Sequence, residues 1–199
     1  MRNAKYGLLP DKDEEILTPW HTVCVYLIGT YTILAKVRQL NNKILTKELE
    51  LLCMNFIDPK MGWFEIVEVP IIDQYSTRIS QIYNEVWLSR YPRPRKVILE
   101  NGSEINRNFI TLLKEFFVKP TCTTIKNPQA NAILEIIHQV VGIMIKNKDL
   151  SNVKFDAVDP WNEILASIKY AVKWLYHSTI QTTPGKLVFG RNIILDINF

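Results

Sequence analysis

Asn127-Pro128-Gln129-Ala130-Asn131-Ala132-Ile133-Leu134-Glu135-Ile136-Ile137-His138-Gln139 sets a loop and a lone carboxylate at the head of an apolar helix. Pro128 and the short polar side chains around it disfavour helix before about Asn131, and Ile133, Leu134, Ile137, Val140, Val141 and Met144 then recur at helical spacing. Glu135 stands about one turn into that helix, where a carboxylate suits the positive end of the dipole. An ordinary surface glutamate satisfies this pattern as well as a functional one does. The balance shifts with Val97-Ile98-Leu99-Glu100-Asn101-Gly102-Ser103-Glu104, an apolar strand that ends in an acid followed by a turn. A carboxylate at the carboxyl end of a buried strand lies where open α/β sheets place their sites.

Outward from these two segments the periodicity gives an ordered set of elements. Val23 to Ile28, Leu51 to Ile57 and Trp63 to Val69 read as three strands, with Pro59 and Gly62 in the turn between the last two. Tyr31 to Glu50 reads as an insertion with a polar turn at Asn41-Asn42. Ile72, Tyr75, Ile79, Ile82, Tyr83, Val86 and Trp87 recur at helical spacing, and that helix should stop at Tyr91 before Pro92. A strand over Lys96 to Leu99, a helix over Ser103 to Phe117 and a strand over Val118 to Thr124 follow. After the Glu135 helix, Pro160 opens another with Ile164, Leu165, Ile168, Ala171, Val172 and Leu175 on its apolar side. Three antiparallel strands followed by strands alternating with helices make an α/β layout of the RNase H-like kind, a mixed five-stranded sheet flanked by helices.

Bulk properties suit one domain. The 199 residues are 47% apolar and 22% charged, ordinary values for a soluble globule, and the net charge of +4 permits a nucleic-acid partner without demanding one. Residues 1–17 are polar and aperiodic and read as a leader or linker, so the fold should begin at residue 18. Cys24, Cys53 and Cys122 lie far apart in apolar strand-like runs, which favours buried free thiols in a reducing compartment over a disulfide framework. The three histidines, His21, His138 and His177, have no paired-cysteine spacing beside them, so no zinc module is expected. No run of about 18 apolar residues offers a membrane span, and the acidic stretch Asp11 to Glu15 is unlike a signal peptide.

Several of these segments together resemble the catalytic core of a retroviral-type integrase, specifically that of gypsy-type long-terminal-repeat retrotransposons. The family's Asp-Asn-Gly-Ser-Glu-Phe motif stands here as Glu100-Asn101-Gly102-Ser103-Glu104-Ile105, and its Asn-Pro-Gln-x-Asn-Ala-x-x-Glu motif is matched from Asn127 to Glu135. Its first strand, ending in Asp-Leu-Ile-Gly-Pro-Tyr, corresponds to Val23-Cys24-Val25-Tyr26-Leu27-Ile28-Gly29-Thr30-Tyr31. Ile57-Asp58-Pro59 with Gly62-Trp63-Phe64-Glu65, and Thr183-Pro184-Gly185 with Val188-Phe189-Gly190-Arg191, resemble its second turn and its closing segment. The likeness runs from about Thr18 to the end, which makes residues 18–199 an integrase-core-like domain with a C-terminal helix and tail.

The resemblance implies strand transfer, an in-line displacement at phosphorus assisted by two divalent ions about 4 Å apart. Mg2+ or Mn2+ favours hard oxygen ligands, and in the family these are Asp, Asp and Glu. This sequence offers Tyr26, Glu100 and Glu135 at those places. Glu100 keeps the charge but moves its oxygens by about 1 Å, a displacement that can cost roughly a hundredfold in rate. Tyr26 is the graver departure, because a phenol with a reference pKa near 10 is neutral at physiological pH and cannot bridge two cations as an aspartate does. Glu100 and Glu135 are thus the expected catalytic and metal-binding pair of an impaired site, active only with Mg2+ or Mn2+ if at all. Asp58 has a counterpart in the family beside the first acid and is read as structural. Asn101, Lys126, Gln129 and Asn131 flank the site as expected DNA contacts. Arg90, Arg93, Arg95 and Lys96 form a basic turn around Pro92 and Pro94 that suits either phosphate contact or plain solvation.

The resemblance further implies DNA as partner, self-association, no membrane, and an intracellular, nuclear location. The alternative reading is a catalytically inactive DNA-binding or protein-interaction module on the same fold.

Overall fold

The computed structural model describes residues 18–38, 41–70, 76–99, 107–122, 139, 141–143, 154–156, 161–178 and 180–191. Its first three strands are β1 (Thr22–Arg38), β2 (Ile44–Ile57) and β3 (Phe64–Glu68), an antiparallel meander. β1 and β2 pair from Cys24↔Ile57 to Ile28↔Cys53, slip at a bulge, and resume from Tyr31↔Leu51 to Arg38↔Ile44. Gly29 makes the bulge feasible: its φ is +121°, and a Cβ there would lie 2.4 Å from the carbonyl oxygen of Leu51.

The hairpin therefore continues where the sequence predicted a first strand ending at Ile28 and an insertion after it. Residues 44–48 of β2 are exposed, so that run has no buried face to mark it as strand. Its turn does fall at Asn41-Asn42, where Asn42 takes φ 62° and the Asn41 side chain accepts from the Lys43 amide at 3.1 Å.

α1 (Ser76–Tyr83) runs into a turn of π-helix over Asn84–Leu88, ahead of β4 (Lys96–Leu99), α2 (Arg107–Glu115) and β5 (Lys119–Cys122). β4 lies parallel to β1, Thr22↔Lys96 to Val25↔Leu99, and β5 parallel to β4, Lys96↔Lys119 to Leu99↔Cys122. A short β6 (Lys154–Asp156), which had no sequence signal, pairs with Lys36–Arg38 of β1. The order β3-β2-β1-β4-β5 with β6 beside β1 is the expected mixed RNase H-like sheet, enlarged by one strand. Two helices close the chain, α3 (Asn162–Trp174) and α4 (Pro184–Phe189). Thr183 caps α4 by accepting from the Lys186 amide at 3.1 Å, Pro184 opens it and Gly190 ends it at φ 70°. Among the described residues no helix is long and apolar enough to cross a membrane.

Strand alternation divides the core. Cys24, Tyr26, Ile28, Cys53, Ile57, Phe64, Ile66 and Ile98 face Ile164, Leu165 and Ile168 of α3, with Trp161 at its start. Val23, Val25, Met54, Phe56, Val97 and Leu99 face the other way, against Ile79, Ile82, Tyr83 and Trp87 and against Phe109 and Leu113 of α2. The first helical stretch ends at Leu88, short of the predicted Tyr91. The extra residue of the π turn keeps Trp87 fully buried, while the amides of Arg90 and Tyr91 both donate to the Trp87 carbonyl.

The cysteines divide two against one. Cys24 and Cys53 are buried free thiols, as the sequence suggested, but Cys122 is exposed, because it ends β5 at the open edge of the sheet. Burial pushes the Cys24 thiol up to about 12 and raises that of Cys53, so neither carries thiolate near neutral pH. A thiol reagent should therefore label one cysteine in the folded chain and three in denaturant. Rapid native labelling of Cys24 or Cys53 would contradict this packing.

Candidate functional site

Of the expected site residues, Tyr26 lies on β1 just past the point where its parallel pairing with β4 ends. Val25↔Leu99 is the last pair of their parallel ladder, so Tyr26 follows immediately on β1 and Glu100 immediately on β4 in sequence. Tyr26 is fully buried, on the face of the sheet that α3 covers. Its side chain hydrogen-bonds that of Cys24, two residues back on the same face. Val141, six residues beyond Glu135 and part of a helical stretch at residues 141–143, is also fully buried in the Tyr26 cluster.

Directly opposite Tyr26 on β2 stands Asn55, itself paired with Ile66 of β3. It is fully buried, and among the described residues neither its Oδ1 nor its Nδ2 has a hydrogen-bond partner. Sequence reasoning missed this residue. The one signal it gave was a single amide inside the apolar run Leu51-Leu52-Cys53-Met54-Asn55-Phe56-Ile57, where an uncharged polar side chain is costly unless something uses it.

Glu100, Asn101, Lys126, Gln129, Asn131 and Glu135 all lie outside the described residues. Of the expected acid positions the structure thus describes one, and that corner does not suit a divalent-metal pair. A neutral phenol turned into an apolar cluster and bonded to a thiol offers no hard anionic oxygen. No group of three or more His, Cys, Asp or Glu that could hold a metal occurs among the described residues.

Asp58 has the structural role read for it. Its Oδ2 accepts from the Trp20 amide at 2.6 Å, and its Oδ1 from the amides of Lys60 and Met61 at 2.7 and 2.9 Å. The Asp58 amide in turn donates to the Trp63 carbonyl at 2.9 Å. Burial raises the carboxyl pKa and these backbone donors oppose the rise. The group fastens the β2–β3 turn to the start of the fold, and all its described bonds are spent there.

The basic turn lies elsewhere. Arg93 and Arg95 are exposed beside a buried Pro94, and Lys119, also exposed, pairs with Lys96 where β4 and β5 begin. This is the end of the sheet opposite Tyr26. Lys119 accordingly belongs to the basic turn.

No family model matches the chain, and no curated protein matches it in sequence. Its structure, however, matches the crystal structure of the catalytic core domain of BIV integrase at a TM-score of 0.54 and 11% identity, over 84% of this chain and 93% of that one. It also matches the cryo-electron microscopy structure of the simian T-cell lymphotropic virus intasome, in complex with PP2A regulatory subunit B56 gamma, at a TM-score of 0.62 and 14% identity. That second match covers 89% of this chain and 57% of the other. At these identities the likeness establishes the fold, and the fold is that of retroviral integrase catalytic cores, RNase H-like.

Proposed function

We propose that this chain is an integrase-type core of a gypsy-type long-terminal-repeat retrotransposon, built for DNA integration, whose strand-transfer chemistry is impaired while DNA binding and self-association persist. The carrying observation is Tyr26, a fully buried phenol at the place of the first acid. Strand transfer needs two metal ions held by converging carboxylates, and Glu100 and Glu135 are left to bind Mg2+ or Mn2+ with one arm missing. Asn101, Lys126, Gln129 and Asn131 are the proposed DNA contacts beside them, and the setting of such a core is the nucleus.

A second reading, an inactive interaction module, draws on the exposed Tyr170, Leu175, Tyr176 and Phe189 near the junction of α3 and α4. Trp174 links this band: its ring lies 6.2 Å from that of Tyr170 and stacks on that of Phe189 at 6.4 Å.

DNA joining with Mn2+ tests the proposal. The unaltered chain should give no joined product, and Tyr26→Asp combined with Glu100→Asp should restore it. Joining by the unaltered chain would refute impairment. DNA affinity that falls as salt rises would count against a pure protein-interaction role, whereas affinity indifferent to salt would not fit phosphate contacts.

A further inference from the structure

We infer that the end of the sheet opposite Tyr26 is a second nucleic-acid surface, which binds the phosphate backbone of a single strand and stacks an unpaired base on Phe117. This goes beyond the acid site and shares with it only the class of partner.

Phe117 is the unusual residue. α2 ends with the Phe117 amide donating to the Lys114 carbonyl at 3.0 Å and the Val118 amide to that of Leu113 at 2.8 Å. That bond pair is a Schellman cap, and it puts Phe117 in the left-handed region, at φ 56°. Glycine fills such a position without strain, whereas a bulky aromatic there is an outlier. Its ring is 87% exposed, so packing does not repay the conformation. A strained residue that the fold does not need points to use by a ligand.

The charges around it name that ligand. Two residues on, the Lys119 amide donates to the Arg95 carbonyl at 2.8 Å, which joins the α2 cap to the basic turn. The amides of Arg95 and Lys96 both donate to the His21 carbonyl, at 2.9 and 3.1 Å, so the backbone carrying these cations is held in place. From Val86 to Leu99 the chain has Arg90, Arg93, Arg95 and Lys96 and no acid, and from Phe116 to Cys122 it has Lys119 and no acid. Glu115 ends α2, and Lys114 precedes it. A basic strip with a projecting aromatic ring matches how single strands are held, by phosphate contacts and by stacking that tolerates any base. An apolar partner would gain from Phe117 but not from the cations flanking it.

Fluorescence anisotropy of the full chain with labelled oligothymidylate, and separately with blunt duplex DNA, tests this. Phe117→Gly suits the backbone at that position and should melt no lower, yet weaken oligothymidylate binding roughly tenfold while sparing duplex binding. Arg93→Ala with Arg95→Ala and Lys119→Ala should weaken both. On the single strand the same triple change should also flatten the slope of log affinity against log salt, by about 0.7 for each phosphate no longer neutralised. Lys47→Ala on the outer hairpin should change neither. The inference is overturned if oligothymidylate affinity survives both sets of changes, or if its loss follows Lys126→Ala and Gln129→Ala instead. It is equally overturned if Phe117→Gly alters only the oligomeric state. A restored chain that joins DNA ends yet ignores Phe117→Gly overturns this inference alone. A chain that binds through Phe117 but never joins ends overturns the integration reading alone.

Discussion

Tyr26→Asp is expected to lower the free energy of unfolding by about 3–5 kcal/mol, because it removes an enclosed aromatic ring and leaves a carboxylate among apolar neighbours. The ring is fully buried in the cluster that joins β1, β2 and β4 to α3, so its removal opens a cavity rather than a surface groove. Tyr26→Phe keeps the volume and loses the bond to Cys24, and should cost only about 0.5–1.5 kcal/mol. Urea unfolding of the two variants separates packing from hydrogen bonding, and a loss under about 1 kcal/mol for Tyr26→Asp would mean that the ring does not hold this face together. The idle amide of Asn55 stands opposite the new carboxylate and could bond it, which should hold the loss toward the lower end of the range. Mn2+ provides the second half of the test. A metal that binds only the folded state adds about 2.7 kcal/mol at a concentration one hundred times its dissociation constant. Tyr26→Asp with Glu100→Asp should show such a gain and the unaltered chain none.

This result also bears on how the chain came to tolerate its tyrosine. A metal-free aspartate on a buried strand is a liability, and a phenol at the same place supplies volume without a charge. Stability and catalysis pull in opposite directions at such positions, so on the proposed function a core under no selection for metal chemistry would gain by filling the space. The expectation that position 26 takes the place of the family's first acid came from the motifs around it, Val23-Cys24-Val25 and Gly29. Its burial was not legible in the same way: strand alternation gives two faces, and only the placement of α3 shows which residues Tyr26 lies among.

The same limit explains what else the sequence did and did not disclose. Lys96–Leu99 was readable to the residue, because a short apolar run between a proline-rich turn and an acid has one sensible conformation. The outer half of the β1–β2 hairpin was not, since the exposed run 44–48 carries no alternation to detect. β6 is three residues long and acquires its conformation from pairing with β1, a tertiary effect that no local pattern records. Cys122 was read as buried within a strand over Val118 to Thr124, but the edge strand it ends is half solvated. Asn55 and Phe117 were overlooked for a common reason. Each is an ordinary residue type whose significance lies in its environment, one in a dry core and the other in a left-handed cap.

Lys173→Ala is expected to be as damaging as the change at Tyr26, at about 3–5 kcal/mol, since it strands a buried carboxylate. Glu65 is 2% exposed, and its Oε1 lies 2.5 Å from Lys173 Nζ and also accepts from the Tyr91 hydroxyl. The ammonium sits 4.2 Å from the centre of the Trp63 ring, so aromatic and carboxylate share the cation. Burial pushes the Lys173 pKa down, and Glu65 opposes that shift. The combined change Glu65→Leu with Lys173→Met should cost far less than either single truncation, because no charge remains to be desolvated. Were the two single losses simply to add in a double-mutant cycle, the pair would not be coupled and the argument would fail. The pair matters to the site through α3. That helix is tied to the sheet near its start by Trp161 Nε1 donating to the Glu50 carbonyl at 3.2 Å, and near its end by Lys173. Releasing the far end should loosen the cover over Tyr26, so Lys173→Ala should speed hydrogen exchange of the Cys24 to Ile28 amides, while Lys169→Ala, one turn away and lacking a buried carboxylate to leave unpaired, should not.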